Sequence, residues 1–183
     1  MNVTRKELFS IPNILSYIRI ILIPIFVYLY LNAQSQEDHY VAASIIIFSG
    51  LTDLFDGLIA RRFHQITELG KLIDPVADKL TQGAIVFCLV MKYRYMWLIV
   101  LLFVFKELAL LLGNVVLLRK GKKLDGAKWF GKISTAIFYV CMTALVGLPV
   151  SQNWANVLMI LTGIFLSLSF VLYTVTFINM YRE

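Results

Sequence analysis

Six apolar stretches, near residues 14–32, 40–60, 73–91, 96–118, 130–150 and 155–180, alternate with short polar connections. Crossing about 30 Å of hydrocarbon as an α-helix takes roughly 20 residues at about 1.5 Å each, and every one of these stretches approaches or exceeds that length. With 60% hydrophobic residues in 183 and a mean hydropathy of +0.79, the chain holds more apolar side chain than one soluble core of this size can bury. None of the stretches carries the strict alternation of a barrel strand. The expectation is an all-α integral membrane protein of six transmembrane helices, folded as a single domain over residues 1–183, with no internal repeat, low-complexity segment or long linker.

Cationic loops are retained on the cytoplasmic side during insertion. Arg5 and Lys6, then Arg61, Arg62 and Lys71, then Arg119, Lys120, Lys122, Lys123, Lys128 and Lys132, and finally Arg182 fall on one side, against Lys92 and Arg94 on the other. This 12-to-2 imbalance places both termini in the cytoplasm and the protein in the cell membrane. The net charge of +6 is explained by the same loops, facing anionic head groups, so no nucleic-acid partner is expected. Arg19 interrupts the first apolar run and no small-residue cleavage site follows, so that run is read as a retained helix and not a signal peptide. Cys88 and Cys141 sit within apolar stretches and read as small hydrophobes.

Against this background Asp53, Asp56, Asp74 and Asp78 are the anomaly. Each carboxylate within a span costs roughly 2.5–3.5 kcal/mol on insertion scales, and four together also repel one another. If the second span starts near Tyr40, Asp53 lies about 20 Å along it, near the cytoplasmic edge. Spacings of i, i+3 and i, i+4 put each pair on one helix face, and the short connection makes the two helices neighbours, so the pairs can converge. Arg19, Arg61 and Lys79 are available counter-charges. An all-carboxylate cluster suits hard divalent cations, and the lack of His, or of Cys at ligand spacing, argues against zinc. Mg2+ or Mn2+, as two ions, is expected, and such a pair suits phosphoryl chemistry on a pyrophosphate. Gly57, Ala60 and Gly70 leave room for a nucleotide beside the acids, although close helix packing would also use small residues.

The pattern Asp53-x2-Asp56-Gly57-x2-Ala60-Arg61-x8-Gly70-x3-Asp74-x3-Asp78 resembles the signature of the CDP-alcohol phosphatidyltransferase family at all eight fixed positions. The resemblance extends from IPNILSYIRIILIP at Ile11–Pro24 to GKISTA at Gly131–Ala136. It implies a six-helix homodimeric enzyme that cleaves the pyrophosphate of CDP-diacylglycerol, giving CMP and a new phosphodiester. It also implies that Asp53, Asp56, Asp74 and Asp78 hold the metals and that Asp78 is in addition the base for the acceptor hydroxyl. Asn13, Arg19, Asp53, Gly57, Ala60, Arg61 and Gly70 would then line the site of the cytidine and its phosphates. Read on their own, Asn13 suits a helix cap equally well, and Arg19 a snorkelling cation.

Phosphatidylglycerophosphate synthases of the family commonly carry Ala-Arg-Glu in the fourth span and Gly-Lys-x-Lys-Thr at the start of the fifth. This chain is similar only in part, with Phe105-Lys106-Glu107 and Gly131-Lys132-Ile133-Ser134-Thr135. Lys106 and Lys132 make glycerol 3-phosphate the first expectation for the acceptor. Lys106 can equally pair with Glu107, and Ser134 leans toward the alternative, a cardiolipin synthase using phosphatidylglycerol. A cation-binding transporter is a third reading, disfavoured because transporter sites lie at the midplane between internal repeats.

Overall fold

The computed structural model of the chain describes residues 9–62, 67–122 and 128–182, with the side chains of Leu54, Gly57, Ala60, Arg61 and Glu68 excepted. Arg5, Lys6 and Lys123, counted above for topology, lie outside the described residues. Among the described residues there are six helices and no strand: α1 (Ile11–Leu31), α2 (Gln36–Arg62), α3 (Glu68–Val90), α4 (Met96–Arg119), α5 (Trp129–Gly147) and α6 (Gln152–Arg182). Four of them, α1, α4, α5 and α6, are long and apolar enough to cross a membrane. Helix α3 is not one of the four, since no eighteen-residue stretch of it avoids Asp74, Asp78 and Lys79 together.

Helices α2 and α3 start earlier than their apolar stretches because their capping residues are polar. Helix α2 opens with a reciprocal box in which Asp38 N–H donates to Ser35 Oγ at 3.2 Å and Ser35 N–H donates to Asp38 Oδ2 at 2.8 Å. The Gln34 N–H donates to the same carboxylate at 2.9 Å. Thr67 caps α3 by accepting from the Gly70 N–H at 2.9 Å. Helix α1 begins behind Ser10 with Pro12 in its first turn, where a missing N–H costs nothing. The far end of α4 closes in a Schellman turn. There Gly121 takes φ 73, with its N–H on the Leu118 carbonyl at 2.9 Å and the Lys122 N–H on that of Leu117 at 3.0 Å.

The chain divides into two compact units, Met1–Leu89 with Thr143–Pro149, and Val90–Met142 with Val150–Glu183. In the first unit the four-residue connection after α1 folds α2 back against it. Phe26, Tyr30, Ala42, Ala43 and Ile46 are buried there, together with Ala77, Ile85, Cys88 and Leu89 of α3. The last turn of α5 joins this unit, with the Gln36 side chain donating to the Gly147 carbonyl. In the second unit α4 and α6 run in the same direction, with Gly163 beside Ile99, Phe170 beside Phe105 and Gly113 beside Phe177. Phe138 of α5 stacks on Phe103 at 5.9 Å. Lys120 and Lys122, just past the end of α4, donate to the carbonyls of Tyr181 and Met180 at 3.3 and 2.7 Å, satisfying the free end of α6.

Candidate active site

The first unit gathers the acids around one buried polar stripe of α1. Asn13, Ser16 and Arg19 follow one another at i, i+3 and i+6 on an otherwise apolar helix, and all three are buried. Each meets a different part of α2 or α3. Arg19, 1% exposed, points its Nη1 at Asp53 Oδ1, 2.6 Å away, and donates from Nη2 to Asp56 Oδ2. The i, i+3 spacing on α2 is what allows one guanidinium to fork across both carboxylates. The two contacts are unequal in setting, because the Asp56 side chain is 5% exposed and that of Asp53 is 48% exposed.

The Ser16 hydroxyl lies within hydrogen-bond reach of Asp74 Oδ1 and of the Pro12 carbonyl. It has one proton, and the charged carboxylate is the stronger acceptor. Asn13 is fully buried in the first turn of α1, where it is not the cap. Its Oδ1 accepts from Thr67 Oγ1 at 3.0 Å, and a Cβ on Gly70 would stand 2.7 Å from that oxygen. Gly70 is therefore the residue whose lack of a side chain lets the start of α3 close on α1.

Asp78 follows Asp74 by one turn, with Pro75 between them, which cannot donate the backbone hydrogen bond of that position. The carboxylate of Asp78 accepts from Gln82 Nε2 and lies 3.7 Å from Lys79 Nζ. Asp53 is within Coulombic reach of Asp74 and Asp78, and Asp56 within that of Asp53 and Asp74. The two pairs expected from the helical spacing are thus brought into mutual repulsion range, offset by Arg19.

Among the described residues no three acidic, His or Cys side chains surround one point closely enough to hold a metal ion. The positive charge beside Asp53 and Asp56 is the guanidinium of Arg19. The chemistry of the donor set, carboxylate oxygens without nitrogen or sulfur, fits a hard divalent cation. Gly57, Ala60 and Arg61 belong to α2 by backbone, and their side chains lie outside the described residues.

Lys106 and Lys132 belong to the second unit. Lys106 is buried with its Nζ 2.8 Å from Glu107 Oε1, while Lys132 is exposed in the first turn of α5. Three residues of the first unit's polar network were not singled out from sequence: Ser16, Thr67 and Gln82. The available signal was spacing, since Ser16 lies midway between Asn13 and Arg19, and Gln82 lies one turn beyond Asp78.

A family model described as CDP-alcohol phosphatidyltransferase matches residues 9–175. The chain is 31% identical over 188 residues to a putative cardiolipin synthase of Mycobacterium tuberculosis, covering 98% of this chain and 88% of that one. It is 31% identical over 149 residues to a probable phosphatidylglycerophosphate synthase of the same organism, covering 80% and 70% respectively. It is also 33% identical over 145 residues to a CDP-diacylglycerol–glycerol-3-phosphate 3-phosphatidyltransferase of Escherichia coli, covering 77% and 79%.

Proposed function

The chain belongs to the CDP-alcohol phosphatidyltransferase family, and we propose that it transfers the phosphatidyl group of CDP-diacylglycerol to glycerol 3-phosphate, releasing CMP. The observation that carries this reading is the pairing of Asp53 and Asp56 on α2 with Asp74 and Asp78 on α3, within electrostatic range of one another and served by α1. In this reading the six helices cross the cell membrane as one catalytic domain with both termini in the cytoplasm, the acids lie at the cytoplasmic side, and the enzyme works as a homodimer.

The family is generally divalent-metal dependent. Asp53, Asp56, Asp74 and Asp78 would hold Mg2+ or Mn2+, as two ions, which when bound would neutralise the pyrophosphate and stabilise its leaving oxygen. Asp78 accepts the proton of the acceptor hydroxyl as that oxygen bonds to the lipid phosphorus and the bridging P–O bond breaks, its electron pair leaving on CMP. Arg61 would fork onto a phosphate, while Asn13, Arg19, Asp53, Gly57, Ala60 and Gly70 line the nucleotide side. Arg19 would exchange part of its hold on Asp53, the more exposed partner, for a donor phosphate. Lys106 and Lys132 are assigned to the phosphate of glycerol 3-phosphate.

A second acceptor, phosphatidylglycerol, is favoured by two observations. Lys106 is already matched by Glu107, and the relative named a putative cardiolipin synthase aligns with nearly the whole chain. The test is CMP release from CDP-diacylglycerol by the purified protein in detergent with Mg2+ or Mn2+. Glycerol 3-phosphate, phosphatidylglycerol, inositol phosphate and serine are offered separately, and each lipid product is identified. Release with glycerol 3-phosphate alone is expected. Release with phosphatidylglycerol alone would make the second reading correct, and no release with any acceptor would refute the catalytic one. Asp78→Asn is expected to lose CMP release at least about 100-fold, the scale of a general base.

A further inference from the structure

At the start of α5, within the second unit, a tyrosine of α6 reaches across to the backbone. Tyr173 is 7% exposed, and its Oη accepts the Lys128 N–H at 3.3 Å. The ring is held edge-on to Phe130 at 4.7 Å and beside Phe177 at 6.2 Å. It comes this close because Gly131 has no side chain. A Cβ there would fall on the Tyr173 hydroxyl and stand 3.0 Å from Cε2 and Cζ. A buried tyrosine hydroxyl ordinarily finds a partner for its own proton. Among the described residues the proton of Tyr173 has no acceptor. The charged groups around it are donors. Lys128 and Lys132 lie one turn apart on one side of α5, where like charges repel. Neither ammonium meets a carboxylate among the described residues, and the first turn of α5 carries no acid. The helix N-terminus adds partial positive charge. Two ammonium groups and a phenol proton beside a helix start, with no carboxylate among them, fit an oxyanion.

We propose that Tyr173 and Lys128 join Lys132 in one site for a phosphate monoester at the start of α5. The proposal rests on the reading of glycerol 3-phosphate as acceptor, and it adds two residues to the cation assigned there. A phosphate monoester brings about 1.5–2 negative charges and three terminal oxygens, one for each donor. A phosphodiester head group brings one charge and two such oxygens, which leaves a donor unmatched. The lysines supply charge on flexible stems, whereas the phenol is fixed by Phe130, Phe177 and Gly131 and sets the direction from which the phosphate is met.

The test compares full-length wild type with Tyr173→Phe and Lys128→Gln in detergent. Glycerol 3-phosphate, inorganic phosphate and phosphatidylglycerol are titrated separately by calorimetry with no CDP-diacylglycerol present, and CMP release is measured in parallel. Tyr173→Phe keeps the ring and its packing, and is expected to raise the Kd for glycerol 3-phosphate about 10- to 100-fold, the scale of one hydrogen bond to a charged group. Its KM for glycerol 3-phosphate should rise by the same factor, with the KM for CDP-diacylglycerol changed less than about twofold. Lys128→Gln keeps the backbone contact with Tyr173, so a loosened α5 cannot account for its effect, and it is expected to raise the same Kd at least about threefold. It carries the test alone if Tyr173→Phe does not fold. Wild-type affinity for glycerol 3-phosphate in the folded variants overturns the proposal, as does an equal rise in the KM of donor and acceptor. Binding of phosphatidylglycerol but of neither phosphate overturns the assignment to a monoester. If wild type releases no CMP, the catalytic reading fails, while phosphate binding weakened in both variants would still uphold the site.

Discussion

Replacing Arg19 by methionine removes the charge while keeping most of the side chain's length, and the structure says which of its two partners will suffer. Asp53 is 48% exposed and can return to water, so losing that contact is worth about 0–1 kcal/mol. Asp56 is 5% exposed and faces Arg19 from a buried position, and stranding a carboxylate in that way costs about 3–5 kcal/mol. The sum is dominated by Asp56. At about 2–4 °C per kcal/mol for a chain of this length, Arg19→Met should lower Tm by about 6–24 °C. The assay is thermal unfolding followed by tryptophan fluorescence in detergent, with a chelator present so that no divalent ion substitutes for the guanidinium. Two double variants separate the contributions. Arg19→Met with Asp56→Asn should regain most of the loss, and Arg19→Met with Asp53→Asn no more than about 1 kcal/mol of it. Equal recovery by the two, or a loss below about 1 kcal/mol in the single variant, would refute the unequal burial on which the reasoning stands.

Gly70→Ala should destabilise by about 1–3 kcal/mol, because its Cβ would stand 2.7 Å from the buried Asn13 Oδ1 and 3.0 Å from Thr67 Oγ1. Trimming the obstacle in Asn13→Ala/Gly70→Ala should return part of that loss in the same melting assay, and no return would place the clash elsewhere. At the start of α2, Ser35→Ala should cost about 1 kcal/mol through the lost cap. The Gln34 and Ser35 backbone donors hold the Asp38 carboxyl below its ordinary value of 3.8. A depressed acid stabilises the fold above its unfolded value and ceases to do so as pH falls through its folded one. Asp38→Asn should therefore melt below wild type at neutral pH and converge on it in strong acid, and a gap that persists there would contradict the box.

The existence of six helices was legible because apolar length is a coarse, additive signal. Their starts were not, since Ser35, Asp38 and Thr67 cap from outside the apolar stretches and contribute nothing to hydropathy. The acid pairs were legible because helical period alone puts Asp53 with Asp56 and Asp74 with Asp78. What joins the pairs was beyond reach for a physical reason. Arg19 was one of three candidate counter-charges, and its choice of both α2 acids depends on the packing of α1 against α2. Asn13 read equally well as a cap, yet it reaches the start of α3 instead. Gln82 was invisible because a single amide one turn past an aspartate is unremarkable until the Lys79 contact orients it.

The Arg19 fork also bears on how the chain enters its membrane. Helix α1, carrying a buried arginine, leaves the ribosome before α2, which follows with two aspartates after a connection of only four residues. In the reading in which both helices cross the membrane, each delivered singly would carry a charge into lipid at a cost of up to about 2.5–3.5 kcal/mol, with nothing beside it to offset the loss of water. Delivered together as a hairpin, the two bring one arginine already placed against the two carboxylates, leaving one net negative charge in place of three separate charges. In that reading, inserting α1 and α2 together as a hairpin is less costly than inserting either alone, because the Arg19 contacts with Asp53 and Asp56 are made before the charges meet lipid.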